Sequence, residues 1–209
     1  MLNRRILLEN AQYSIETLKT LLHIIWPLTT KHDFQQHLIK NDRFIDLIFE
    51  NLQSSNSSDL LFPLIGILSN LNSSEAFRSE NGFKSAHLIL EKDYSRFLCN
   101  FDCHQVFLYL LYNISFDKKV TNDLFEKSLL LEFIKEDSQR IYKFQKHQNL
   151  FYKFLQQAIN SLMNDASDEL INKDYYLIQI RDICMNVENY ETNELGKVIQ
   201  IINRFFSTD

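Results

Sequence analysis

Glycine and proline are scarce in this chain, with three and two copies among 209 residues. Tight turns and β-rich folds use both residues often, and so do flexible linkers. The glycines (Gly66, Gly82, Gly196) are also too far apart to form a phosphate-cradling loop or a dinucleotide fingerprint. The scarcity therefore favours helices joined by short polar loops.

Basic residues are too few for a broad nucleic-acid surface. Lys and Arg total 22 against 27 Asp and Glu, which gives a net charge of −5. Affinity for nucleic acid depends on neutralising phosphates, so a surplus of acid works against it. We expect nucleic acid not to be the partner.

Long apolar runs are missing too. The most apolar early stretch, residues 21–28, is too short to span a bilayer, and no signal peptide precedes it. The three cysteines are an odd number, which favours reduced thiols over a disulfide framework. We therefore expect no membrane insertion and an intracellular location, cytoplasmic in the first instance, with the nucleus left open.

Signatures of catalysis and metal binding are absent from the sequence. Neither His-Glu-x-x-His nor Gly-x-Ser-x-Gly occurs. Cys99, Cys103 and His104 lie close together, but no fourth ligand stands at a spacing typical of zinc. We expect a protein that is not an enzyme and that holds no cofactor and no metal.

Apolar residues, by contrast, recur at intervals of 43 along the first two-thirds of the chain. The equivalent positions are Leu21, Leu64 and Phe107; Leu22, Ile65 and Leu108; Ile24, Ile67 and Leu110; Ile25, Leu68 and Leu111; Leu28, Leu71 and Ile114; Phe34, Phe77 and Val120; and Leu47, Leu90 and Phe133. Spacings of three and four residues within each copy are those of one buried helix face. A helical period of about 40–47 residues is typical of an α-solenoid.

Each copy is predicted to contain three helices. They are expected at 16–28, 33–40 and 43–52; at 59–71, 75–80 and 83–92; and at 102–114, 120–126 and 129–136. A weaker fourth copy follows at an interval of 48, with a long helix over 140–163 and a short-plus-long pair over 168–187. A last amphipathic helix over 194–206 is expected to cap the stack. The chain is then one domain, 1–209, with clear repeats over 16–136 and a degenerate repeat and cap over 137–209.

Two stretches resemble armadillo repeats. They are Leu-Leu-Tyr-Asn-Ile-Ser-Phe-Asp at 110–117 and Leu-Ile-Gly-Ile-Leu-Ser-Asn-Leu at 64–71, each followed by a polar loop and a short helix. The resemblance implies an all-α, right-handed α-solenoid of about four armadillo-like repeats with a C-terminal capping helix. It also implies a non-catalytic interaction module or scaffold. Importin-type repeats carry Trp four residues before the Asn, whereas this chain has Tyr109 or Gly66 there, which speaks against importin-like binding of basic peptides.

A stripe of side chains on the opposite side of the first helix of each copy is left to face outward. Its candidate partner-binding residues are His23, Gly66, Asn70, Val106, Tyr109 and Asn113. Asn amides can pair with the backbone of an extended peptide. They can equally satisfy their own helix ends or loops, and that alternative stays open. The expected partner is another protein, bound as an extended peptide or helix along the concave face, alone or within a multi-subunit complex.

Two further functions remain as alternatives. The chain could be a structural subunit held in a larger assembly through its ends or its convex face. It could also bind RNA through the basic and aromatic residues of segment 140–147. Trp26, the single tryptophan, is expected in the core, with an interface anchor as the alternative reading.

Overall fold

The computed structural model describes the backbone of residues 2–55, 57–91, 101–141, 145–163, 172–187 and 194–207. These residues form eleven helices and no strand, so the all-α class is confirmed. The helices are α1 Leu2–Leu28, α2 His32–Ile39, α3 Asp42–Ser54, α4 Ser58–Leu71, α5 Glu75–Glu91, α6 Phe101–Ile114, α7 Lys118–Glu126, α8 Leu129–Ile141, α9 Gln145–Met163, α10 Lys173–Met185 and α11 Glu194–Phe206. No described helix has both the length and the apolar content to cross a membrane.

Side-chain caps explain where two of the helices begin. Asn41 accepts a hydrogen bond from the Phe44 backbone N–H at 3.1 Å and starts α3. Asp117 accepts one from the Val120 N–H at 3.1 Å and starts α7. Such caps satisfy backbone donors that the first helical turn leaves unpaired.

The structure differs from the predicted helices in several places. Residues 75–80 and 83–92 were expected as two helices, but residues 75–91 form the single helix α5, which continues through the buried Gly82 because its φ is not positive. Helix α1 also begins well before residue 16. Parts of the expected helices over 83–92, 140–163 and 168–187 fall on 92, 142–144 and 168–171, which lie outside the described residues.

Helices α1, α4, α6 and α9 lie side by side, and we call them the helix row. Each contacts the next, and α11 packs against α9 at the far end. A second series, α3, α5, α8 and α10, follows the same order, with each helix again contacting the next. Equivalent helices of consecutive sequence copies are therefore neighbours in space.

The core runs between these two series. Leu71 and Ile114 are fully buried at matching positions of α4 and α6, and Leu162 matches them in α9. Leu28, their equivalent in α1, is exposed. Among the described residues, α4 is the only member of the row that packs on α1, so the prediction that the recurring apolar positions are buried is wrong for Leu28.

Candidate partner-binding surface

Three of the predicted site residues form one outward side of α6. Val106, Tyr109 and Asn113 are spaced by three and four residues, so they point in similar directions from the helix. The Tyr109 side chain is 47% exposed, and the other two are half-buried. His23 is also exposed, at the equivalent position of α1.

Gly66 has a packing role in the structure. It is buried in α4, and a Cβ atom at this position would overlap the indole ring of Trp26 from α1. Trp26 is half-buried and meets the Phe62 ring edge to face, with centroids 4.7 Å apart. The missing side chain lets α1 and α4 approach closely, so Gly66 lies beneath the surface and offers no side chain to a partner.

Asn70 joins α4 to the end of α1. Its Nδ2 donates to Thr29 Oγ1 at 2.8 Å and to the Trp26 carbonyl oxygen at 3.4 Å. The Trp26 carbonyl lies in the last turn of α1 and also accepts from the Thr29 backbone N–H at 3.1 Å. The amide donors of Asn70 thus stabilise the α1–α4 junction.

Asn113 repeats this arrangement one copy later. Its Nδ2 donates to the Ser69 carbonyl oxygen in the last turn of α4 at 2.8 Å. In α9, Ser161 donates through Oγ to the Ser115 carbonyl oxygen at 2.6 Å. Ser161 follows Asn113 by 48 residues, the interval at which the sequence places the fourth copy. One kind of bond therefore links successive members of the helix row, and this bond of Asn113 was not predicted from the sequence.

Exposed aromatic rings extend the surface around Tyr109. Phe116, just beyond α6, is as exposed as Tyr109, and its ring lies 5.1 Å from that of Tyr112. On α4, the half-buried Phe62 ring lies 6.4 Å from His23. Phe62 and Phe116 were not predicted, although Phe116 follows Asn113 by three residues, a spacing that could have indicated it.

One ion pair crosses from α1 to α4 near this surface. Lys19 Nζ lies 2.8 Å from Asp59 Oδ2. The hydrogen bond from Lys19 lowers the pKa of Asp59, and the same bond raises the pKa of Lys19. Both groups are solvent-exposed, so the ion pair helps to orient α1 on α4 and adds little to the free energy of unfolding.

A buried polar cluster lies elsewhere, between α6, α8 and α9. His104 Nδ1 is 2.8 Å from His147 Nδ1, and His104 Nε2 is 3.0 Å from Asp137 Oδ1. Burial, followed by the nearby charge of His104, lowers the pKa of His147 to about 4. All three side chains are buried, so the cluster ties three helices together without access for a substrate. This cluster was not predicted from the sequence, although His104 and His147 are 43 residues apart.

The two cysteines that the structure describes, Cys103 and Cys184, show no reactive environment. Burial raises the pKa of Cys103 to about 11 and that of Cys184 to about 12. A thiol needs its thiolate form to react, and these shifts disfavour it. Cys99 lies outside the described residues, within which no three His, Cys, Asp or Glu side chains are grouped as a metal site needs.

A cavity of about 270 Å³ opens between α9 and α11. Tyr152 and Gln156 line one side, and Lys197 and Arg204 line the other. Lys197 is already bound to Glu194 at 2.6 Å. None of the predicted site residues lines this cavity.

The chain matches no protein-family model, no curated protein and no solved structure. A function can therefore be inferred only from the arrangement of its own residues. Of segment 140–147, considered for RNA binding, residues 142–144 lie outside the described part, and His147 at its end is buried.

Proposed function

We propose that this chain is a non-catalytic protein-interaction module. In this proposal it is a right-handed α-solenoid of about four armadillo-like repeats, closed at its C-terminal end by α11. It works inside the cell and holds an extended peptide or helix of a partner protein on the side of the row that carries Val106, Tyr109 and Asn113, with His23 at its edge.

The observation that supports this most is the exposed aromatic side of α6 within a row of equivalent helices. Tyr109 and Phe116 are each 47% exposed, although tyrosine and phenylalanine usually lose most of their surface on folding. Aromatic side chains are enriched where proteins bind each other, and an exposed tyrosine is a frequent energetic anchor. Asn113 holds α6 on α4, which fixes the position of Tyr109 before any partner arrives.

The test is a comparison of partner capture by two single variants. Tyr109→Ala removes the exposed ring without breaking any bond of the helix row. Captured proteins are quantified from a native lysate, and a true partner should be retained at least about tenfold less by Tyr109→Ala than by the unchanged chain, as expected for loss of an anchor residue.

Tyr175→Ala is the matched control. Tyr175 has a similar exposed fraction, 53%, but it lies on α10 at the other end of the molecule. The variants should have equal thermal stability, and Tyr175→Ala should retain every partner. Equal capture by Tyr109→Ala and the unchanged chain would show that this side of α6 is not the binding surface.

A structural-subunit role is the second candidate, and one observation favours it. Several apolar side chains at the α1 end of the molecule are exposed, which is unusual for a chain that ends its own stack. In that case the end, and not the side carrying Tyr109, would contact the rest of the assembly. The capture experiment separates the two, because Tyr109→Ala leaves the α1 end intact.

A further inference from the structure

The α1 end of the molecule exposes apolar side chains that the repeat pattern buries everywhere else. We call this set the N-terminal end face; its members are Leu21 (49% exposed), Ile24 (55%), Leu28 (41%) and Leu47 (40%). Their equivalents in the next two copies are at most 6% exposed: Leu64, Ile67, Leu71 and Leu90, then Phe107, Leu110, Ile114 and Phe133. The same positions thus form core in two copies and surface in one.

The chain itself shows what kind of element covers such positions. Helix α4 is covered on one side by α1, and α6 is covered in the same way by α4. Helix α1 lacks such a neighbour among the described residues. The N-terminal end face is therefore shaped to receive another helical layer, and an exposed apolar patch of this kind marks an interaction site.

We propose that this face binds a second copy of the same chain, with the two α1 helices packed antiparallel about a two-fold axis near Ile24. A two-fold contact brings the same surface together from both copies, so the apolar face covers itself. Leu21, Ile24 and Leu28 are spaced as one seam of a helix pair. Helix α1 ends at Leu28, so an axis near Ile24 sets residues 20–28 of the two copies against each other, and all three apolar side chains lie within this overlap.

Charge does not oppose this contact. Residues 15–54, which contain α2, α3 and the described side chains of α1, carry four Lys or Arg and five Asp or Glu. The surplus of acid in the chain as a whole therefore lies mainly elsewhere. Two end faces can approach each other without the repulsion that a net charge of −5 would suggest.

The opposite end of the molecule is a poorer match for the N-terminal end face. Helix α11 buries its apolar side and turns Lys197, Gln200 and Arg204 towards solvent. Helix α10 exposes Tyr175, Ile178 and Met185, but Arg181 and the exposed Asp182 lie between the last two. Covering that charge pair with leucine would cost desolvation energy, so head-to-tail stacking is disfavoured.

The mass of the purified full-length chain tests the proposal. Sedimentation velocity is run from about 1 to about 100 µM, where a micromolar dimer changes its population. We expect a species of about 50 kDa, twice the 24.9 kDa of one chain, that dissociates on dilution. The double variant Ile24→Glu, Leu28→Glu should remain at the mass of one chain over the whole range, with unchanged helical content.

The control is Ile178→Glu with Met185→Glu, which alters two comparably exposed apolar residues of α10. It should dimerise like the unchanged chain. Loss of the dimer in this control, or species that grow beyond two copies, would overturn the two-fold arrangement in favour of head-to-tail contact. A monomer at every concentration, or a dimer that survives the Ile24 and Leu28 changes, would overturn the proposal altogether.

A cross-link measures the same contact without disturbing it. Ile24→Cys should form a covalent dimer on mild oxidation, because the two copies of this residue lie next to the axis. Ile178→Cys, similarly placed on the surface of its helix, should remain monomeric. A cross-link of equal yield from both variants would indicate random collision and contradict the assigned axis. These residues are separate from Tyr109, so partner capture and dimerisation can fail independently.

Discussion

Gly66 and Gly82 are both buried within helices, yet replacing each with alanine should have opposite effects. A glycine-to-alanine change in a helix interior favours folding by about 1 kcal/mol through backbone propensity. At Gly82 the new methyl group would meet Arg78 Cγ and Asn72 Oδ1 at 3.4 Å and Val120 Cγ1 at 3.5 Å, which are ordinary contacts. We expect Gly82→Ala to raise the free energy of unfolding by about 0.5–1 kcal/mol.

At Gly66 the same methyl group would overlap the indole of Trp26. Overpacking of this kind costs about 1–3 kcal/mol. Displacing the indole would also disturb its edge-to-face contact with Phe62, a type of pair that contributes about 0.5–1.5 kcal/mol. After the gain in helix propensity, Gly66→Ala should lower the free energy of unfolding by about 1–3 kcal/mol, and the two variants should differ by about 2–4 kcal/mol.

Urea unfolding followed by circular dichroism measures both values, and fluorescence adds a local reading. Trp26 is the only tryptophan, so its emission reports on this junction alone. Gly66→Ala should shift the emission to the red as the indole moves towards water, and Gly82→Ala should leave it unchanged. In a Trp26→Ala background the penalty at Gly66 should vanish, because the overlap is then gone. Equal stability of the two variants with unchanged emission would refute the packing of Trp26 on Gly66.

Three other predictions concern stability. His147 is buried with a pKa of about 4, below the ordinary value of about 6.5, so the unfolded chain binds its proton first as the pH falls. The free energy of unfolding should therefore fall by about 3 kcal/mol as the pH drops from about 6.5 to about 4. His147→Gln should make the stability–pH curve flatter over this range. A slope equal to that of the unchanged chain would contradict the prediction. Asn113→Ala should lower the free energy of unfolding by about 1 kcal/mol, because it removes the bond to the Ser69 carbonyl. In the same urea titration, Asn203→Ala on the exposed side of α11 should change it by less than about 0.5 kcal/mol. Similar losses in both variants would show that the bond does not stabilise the fold. Ser128, between α7 and α8, has a φ of 61°, a left-handed conformation that glycine adopts more easily than serine. Ser128→Gly should therefore raise the thermal midpoint and add about 0.5–1 kcal/mol to the free energy of unfolding. A lower midpoint would contradict the left-handed conformation.

Much of the fold could be predicted because helical periodicity is a local property. The expected helices over 59–71, 102–114 and 194–206 agree with α4, α6 and α11 to within one residue at each end. The interval of 43 also identified which positions are core in the second and third copies. It could not show that Leu28 is exposed, because the same pattern occurs whether or not a neighbouring helix precedes α1.

The candidate surface was less predictable because its residues depend on contacts between copies. Spacing placed Gly66 and Tyr109 at equivalent outward positions, but the ring of Trp26 covers one and leaves the other open. Whether the position is covered or open depends on whether it carries glycine or tyrosine. This difference becomes visible only when neighbouring helices of the row are placed side by side. The bonds from Asn70 and Asn113 to the preceding helix have the same origin.

The hydrogen bonds donated by Asn70, Asn113 and Ser161 each join one member of the helix row to the member before it. Because these bonds join only neighbouring members of the row, we expect unfolding to begin at the ends of the row and to proceed inwards. Helix α1 has one protected flank where α4 and α6 have two. Unfolding should therefore start at α1, and a partner bound to α1 would stabilise the entire helix row.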